Sequence, residues 1–102
     1  MTVQEYRDYI AAGNPVVAGS NAHLFMHQMA QEAIRITMEI NNKYHTPEEL
    51  RKLFSELWDI EVPESFGMFP PFNTDCGKNT HIGERVFINS GCKFQDQGGI
   101  FI

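Results

Sequence analysis

The chain has 102 residues, which is enough for one domain or for part of a larger one. An apolar content of 42% can form a hydrophobic core and excludes wholesale disorder. Eight basic residues against thirteen acidic ones give a formal net charge of −5. An acidic chain without a basic cluster is a poor candidate for binding nucleic acid or an anionic membrane surface.

The cellular location is predicted from three features of the sequence. No apolar run approaches the roughly 20 residues that span a bilayer. The first residues lack the charged and then apolar layout of a signal peptide. Cys76 and Cys92 occur in a pattern that favours buried, reduced thiols over a disulfide framework. We therefore expect a cytoplasmic protein with no membrane partner.

Three helices are predicted in the first sixty residues. Thr2 and Glu5 form a capping box, so a short helix is expected from about Val3 to Ala12, ending at Gly13. Ser20 or Asn21 caps a longer second helix, and Thr46 starts a third one with proline at its first position. Helical spacing predicts these buried faces: Tyr6, Tyr9 and Ile10; then Met26, Met29, Ala33, Ile36, Thr37 and Ile40; then Leu50, Leu53, Phe54 and Leu57.

Composition divides the chain into three parts. Residues 1–60 are the helical region, residues 61–73 contain three prolines and are predicted to be a linker, and residues 74–102 are rich in Gly, Asn, Ile and Phe. Helices followed by a separate strand-forming region predict an α+β fold and not an alternating α/β sheet.

The last part has an apolar period of six, with Ile82, Ile88, Phe94 and Ile100 in one phase. Neither a helix nor a half-buried strand has this period. A short strand followed by a tight turn does, and three such units can close a triangular coil that stacks on its neighbours. Two ordinary strands joined at Gly98 and Gly99 are the alternative.

The segment "PPFNTDCGKNTHIGERVFINSGCKF" contains Pro-Pro, Asp-x-Gly-x-Asn, Ile-Gly and Phe-x-Asn. With these motifs the chain resembles the hexapeptide-repeat O-acetyltransferases of the maltose, galactoside and nodulation type. The preceding "TPEELRKLFSEL" is similar to the helical region of that family. The resemblance implies that residues 74–102 begin a left-handed parallel β-helix. It also implies a homotrimer that transfers acetyl from acetyl-CoA to a sugar hydroxyl without a metal.

The resemblance also implies four residues that bind the acceptor. Asn89 lies at the Phe-x-Asn position, where the family contacts the acceptor, although Asn also commonly bonds its own backbone in turns. Asp75 matches the acidic residue of Asp-x-Gly-x-Asn and lines the acceptor pocket or caps the turn at Gly77. Asp96 and Gln97 replace an acidic pair, so Gln97 departs from the pattern and indicates a different acceptor.

None of the four histidines matches the general base of that family, which is expected beyond residue 102. His81 is predicted to face outward and His45 precedes a helix cap. His23 and His27 have the i, i+4 spacing of metal ligands, but no third ligand is indicated, so a helix surface is the favoured interpretation. We therefore interpret the chain as a truncated product that is inactive by itself.

Two other functions remain open on the sequence. One is a non-catalytic interaction module that oligomerises through its repeat. The other is a hexapeptide-repeat protein with a different activity, such as a metal-dependent hydratase, which the lack of a histidine triad in the visible repeats disfavours.

Overall fold

The computed structural model describes all residues, Met1–Ile102. Three helices come first: α1 (Val3–Ala11), α2 (Asn21–Asn42) and α3 (Pro47–Trp58). Both predicted capping boxes are formed, and Ser20 caps α2 by accepting a hydrogen bond from the His23 amide. None of the helices is both long and apolar enough to cross a membrane. Six short strands follow: β1 (Gly67–Met68), β2 (Phe72–Thr74), β3 (Thr80–His81), β4 (Phe87–Ile88), β5 (Cys92–Phe94) and β6 (Ile100–Phe101).

Each of the first three strands pairs in parallel with the third strand after it. The paired residues are 20 positions apart, as Gly67 with Phe87, Phe72 with Cys92 and Thr80 with Ile100. The chain therefore winds around twice, with three strands in each winding, and we call the two windings the first turn and the second turn. A turn of 20 residues is two longer than three units of six, so the apolar period in the sequence is only approximate. The extra length lies in the loop between β2 and β3, which wraps around a buried side chain described below.

Residues 61–73, expected to be a linker, contain β1 and the beginning of β2. Phe66, Met68 and Phe72 in this segment are buried. Proline is tolerated here because Pro63 precedes both strands and the pair at 70 and 71 lies between them, where no backbone N–H donor is required. The first turn thus begins at Gly67.

The helices and the strands share one hydrophobic core. The ring of Phe54 on α3 lies 4.8 Å from Trp58, 5.3 Å from Phe66 and 5.1 Å from Phe72, measured between centroids. The predicted faces of α2 and α3 are buried at seven of their positions, while Met26, Met29 and Leu53 are half-buried and α1 buries Tyr6 alone. The core comprises Ala33, Ile36, Ile40, Leu50, Phe54, Leu57, Trp58, Val62, Phe66, Met68, Phe72 and Ile88.

The carboxyl end of α3 is joined to the β2–β3 loop by two cations. Lys78 is buried, and its Nζ donates to the carbonyls of Glu56 at 2.9 Å and Leu57 at 2.8 Å. Arg7 on α1 donates from Nη2 to the Trp58 carbonyl at 2.8 Å and from Nε to the Lys78 carbonyl at 2.6 Å. Positive charge at this helix end satisfies free carbonyls and complements the helix dipole.

Gly77, in the same loop, lies in close contact with Leu57 on α3. It has a φ of +83°, and an added Cβ would lie 2.8 Å from Leu57 Cδ1 and 3.0 Å from the Leu57 carbonyl oxygen. We expect Gly77→Ala to lower the free energy of unfolding by about 3 kcal/mol, combining left-handed strain with overpacking. Urea denaturation measures this loss.

Gly91 provides the matched control. Its φ is +85°, yet nothing lies within 4 Å of an added Cβ. Gly91→Ala should therefore lose only about 1 kcal/mol from backbone strain. Equal losses for the two variants would show that the loop does not pack against α3 as described.

Candidate functional site

The buried carboxylate of Asp96 organises the loop between β2 and β3. Asp96 lies just after β5, is fully buried and accepts hydrogen bonds on both oxygens. Oδ1 accepts from Thr74 Oγ1 at 3.2 Å, the Cys76 amide at 3.1 Å and the Gly77 amide at 3.0 Å. Oδ2 accepts from the Asn79 amide at 3.2 Å and Thr80 Oγ1 at 2.9 Å.

This arrangement connects the second turn to the first. A buried carboxylate is costly unless hydrogen-bond donors replace its hydration, and here three backbone amides and two hydroxyls do so. Asp96 was predicted to contact an acceptor. Both of its oxygens are enclosed by the 74–80 loop, and the acceptor contact at Asp96 stays a prediction.

Asp75 and Gln97 come together in one groove beside α2. The groove has a volume of about 320 Å³. One wall is a largely apolar stripe of α2, and the other wall is polar and belongs to the turns. No Lys or Arg lines it. The lining residues, which define the Asp75 groove, are Met26, His27, Ala30, Ile34, Thr74, Asp75 and Gln97.

Two polar side chains of the Asp75 groove, those of Asp75 and Gln97, are available to a ligand. The backbone amide of Asp75 donates to the Phe94 carbonyl at 3.1 Å, while its carboxylate makes no hydrogen bond within the chain. Gln97 is held by its main-chain oxygen, which accepts from the Tyr6 hydroxyl at 3.1 Å, and its side-chain amide is likewise free of protein partners. A carboxylate that accepts and an amide that both donates and accepts suit a ligand rich in hydroxyl groups.

Asn89 lies apart from this groove, in the exposed turn between β4 and β5. Its Oδ1 accepts a hydrogen bond from the Ser90 amide at 2.8 Å. This contact is the local turn geometry that Asn commonly adopts. The acceptor contact at Asn89 stays a prediction.

His27 lines the Asp75 groove, whereas its sequence pattern predicted only a helix surface. The Nδ1 of His23 accepts from the Gly19 amide at 3.0 Å, so its Nε2 carries the proton and donates to His27 Nε2 at 3.2 Å. The signal in the sequence was the i, i+4 histidine pair interleaved with Met26 and Ala30. No group of three or more His, Cys, Asp or Glu side chains is arranged to hold a metal ion.

The comparison with known proteins gives one informative similarity. No protein-family model matches the chain. Over 66 residues the chain is 34% identical to a Staphylococcus aureus (strain MRSA252) protein named "Putative acetyltransferase". The match covers 64% of this chain and 33% of that relative, so the chain spans about a third of the relative's length.

The role of Asp96 predicts a large cost for an isosteric change. In Asp96→Asn one carboxylate oxygen is replaced by an NH₂ group, which cannot accept hydrogen bonds from the donors that face it. The donors that face the other oxygen lose a charged acceptor. We expect the free energy of unfolding to fall by about 2 to 4 kcal/mol, from unsatisfied buried groups. Chemical denaturation followed by circular dichroism checks this value.

Asp75→Asn is the matched control, since the Asp75 carboxylate makes no hydrogen bond within the chain. Its stability should change by less than about 0.5 kcal/mol, as for other substitutions away from a packed network. A tolerated Asp96→Asn would contradict the structural role assigned to Asp96.

Proposed function

We propose that this chain is the N-terminal part of an acetyl-CoA-dependent O-acetyltransferase that acts on a sugar hydroxyl. The similarity over 66 residues to the S. aureus "Putative acetyltransferase" carries this proposal. The two parallel turns with a 20-residue offset support the further proposal that the strands begin a left-handed β-helix. The Asp75 groove is the acceptor site of this proposal.

The composition of the Asp75 groove favours an uncharged, polyhydroxylated acceptor. Asp75 accepts hydrogen bonds from sugar hydroxyls, and the Gln97 amide donates one and accepts one. Met26 and Ala30 on α2 provide an apolar surface for the C–H face of a sugar ring. A groove with no Lys or Arg does not suit the phosphates of coenzyme A, so acetyl-CoA as co-substrate is assigned to the remainder of a longer polypeptide.

The reaction requires a base that removes the acceptor hydroxyl proton. The hydroxyl oxygen then attacks the thioester carbonyl carbon, the C–S bond breaks, and the base returns the proton to the departing thiolate of coenzyme A. His27 lies in the groove, but its Nε2 lone pair is already bonded to His23. We therefore place the base outside this chain, as the family resemblance implies, and expect the chain by itself to transfer no acetyl group. In a homotrimer, Asn89 of one copy would reach the acceptor held by a neighbouring copy.

Removing the Asp75 carboxylate tests the acceptor assignment. We expect Asp75→Ala to weaken binding of methyl β-galactoside, maltose or glucose by about tenfold, the loss of one charged hydrogen bond. Amide chemical shifts of Asp75 and Gln97 during a sugar titration of the 102-residue chain measure it. In the full-length protein the same change should lower kcat/KM for acetyl transfer by about 10- to 1000-fold.

Asp8→Ala is the control, because Asp8 is an exposed carboxylate on α1 that lies outside the Asp75 groove. It should leave sugar affinity unchanged. Sugars that shift no groove resonance, or that respond equally to both variants, would refute the groove as an acceptor site. Absence of thiol release by the full-length protein with every acceptor would refute acetyl transfer.

Self-association is a second candidate function with its own observation. Phe69 and Phe87 are 61% and 55% exposed and lie edge to face at 5.1 Å. Phe101 on β6 is 77% exposed. The outer edges of β4, β5 and β6 have no partner strand. Exposed aromatic surface and unpaired strand edges are features of protein interfaces.

We expect the chain to self-associate at micromolar concentration. The double variant Phe69→Ser, Phe87→Ser should lower the association constant by about tenfold or more, because buried aromatic side chains contribute much of the binding energy of an interface. Analytical ultracentrifugation measures it. Leu24→Ser, which removes an exposed apolar side chain on α2, is the control. A monomeric parent chain would refute this second function.

A further inference from the structure

A second groove lies between α1 and the β3–β6 pair and shares no lining residue with the Asp75 groove. Its volume is about 420 Å³. It combines one guanidinium, one imidazole and an apolar wall. We call it the His81 groove, and its lining residues are Gln4, Arg7, Asp8, Ile10, Ala11, Asn79, His81, Gly98 and Phe101.

The imidazole of His81 is held in one orientation and one tautomer. The Asn79 side-chain amide donates to the Gln97 carbonyl at 3.4 Å, so its Oδ1 faces His81 Nε2 at 2.9 Å. An acceptor at that position places the ring proton on Nε2 and leaves the lone pair on Nδ1. Phe101 stacks on the ring at 4.6 Å with an interplanar angle of 11°. The sequence predicted an outward residue, whereas the ring is partly covered and fixed.

The charge state of His81 follows from its surroundings. Burial, and next the positive charge of Arg7, lower the pKa of His81 below its ordinary value, against a smaller opposing effect of Asp96. The imidazole is therefore neutral at neutral pH and accepts a hydrogen bond at Nδ1. A neutral imidazole oriented by a neighbouring amide is an arrangement that takes a hydroxyl proton as its hydrogen-bond donor.

Arg7 contributes a positive charge that no carboxylate of the chain neutralises. Its Nε and Nη2 donate to backbone carbonyls of Lys78 and Trp58, and it makes no ion pair. Its Nη1 donates to no protein atom and is free for an anionic oxygen. Asp8 also lines the groove, with Oδ1 accepting from Gln4 Nε2 at 2.8 Å. This negative charge repels a phosphate dianion more strongly than a single carboxylate, so a ligand with one carboxylate fits the groove better.

We propose that the His81 groove binds a small hydroxy acid with one carboxylate. The carboxylate accepts from Arg7 Nη1, the hydroxyl donates to His81 Nδ1, and the hydrocarbon part packs against Ile10 and Phe101. This site is independent of the acetyl-transfer proposal, because it uses none of the residues of the Asp75 groove.

Mandelate is the probe, since it joins a carboxylate, an adjacent hydroxyl and an aromatic ring. Titration of the 102-residue chain followed by the ring resonances of His81 should show saturable binding. Phenylacetate lacks the hydroxyl, and methyl mandelate lacks the charge. Each should bind about tenfold more weakly, the loss of one hydrogen bond to a charged or oriented partner.

His81→Gln and Arg7→Gln should each weaken mandelate binding by about tenfold, while His23→Gln, outside the groove, should leave it unchanged. Arg7→Gln could unfold the chain, because Arg7 also caps α3. In that case the affinities of the unmodified chain for mandelate, phenylacetate and methyl mandelate still test the proposal. Equal affinity for mandelate, phenylacetate and methyl mandelate, or no saturable shift of His81, would overturn the proposal.

Discussion

The carboxylate of Asp96 is the contact on which the arrangement of the two turns depends. It comes from the second turn, yet all its partners lie in residues 74–80 of the first turn. Three of these partners are backbone amides, whose positions are set by the chain path and not by side-chain choice. A buried charge is tolerated only when such donors are in place, so the carboxylate and the loop specify each other. The same loop contributes Asp75 to one groove and Asn79 to the other.

The helices complete this arrangement from the other side. Lys78 extends from the loop held by Asp96 to the last carbonyls of α3, and Arg7 joins α1 to the same place. Tyr6 packs with Phe25 and Cys76 and donates to the Gln97 carbonyl; burial raises the pKa of its hydroxyl to about 12, so it stays a donor. α2 packs on β2 and α3 packs on β1, so these two helices lie against the first turn.

Local features of the structure were predictable from the sequence, and long-range ones were not. Capping boxes depend on residues three apart, so the starts of α1 and α3 could be assigned from Thr2 and Thr46. The buried faces of α2 and α3 followed from helical spacing. Strand β1 was not predicted within residues 61–73, because a strand of two residues among prolines has no recognisable sequence pattern. The burial of Asp96 and the position of Asp75 and Gln97 in one groove depend on the 20-residue register, which a period of six does not specify.

We infer that Asp96 holds the 74–80 loop as rigidly as the core. Native-state hydrogen exchange of the Cys76, Gly77 and Asn79 amides tests it directly, because all three donate to that carboxylate. We expect these amides to exchange only through global unfolding, with the same opening free energy as the amides in the middle of α2. Exchange of the three amides at rates typical of an open surface loop would contradict it.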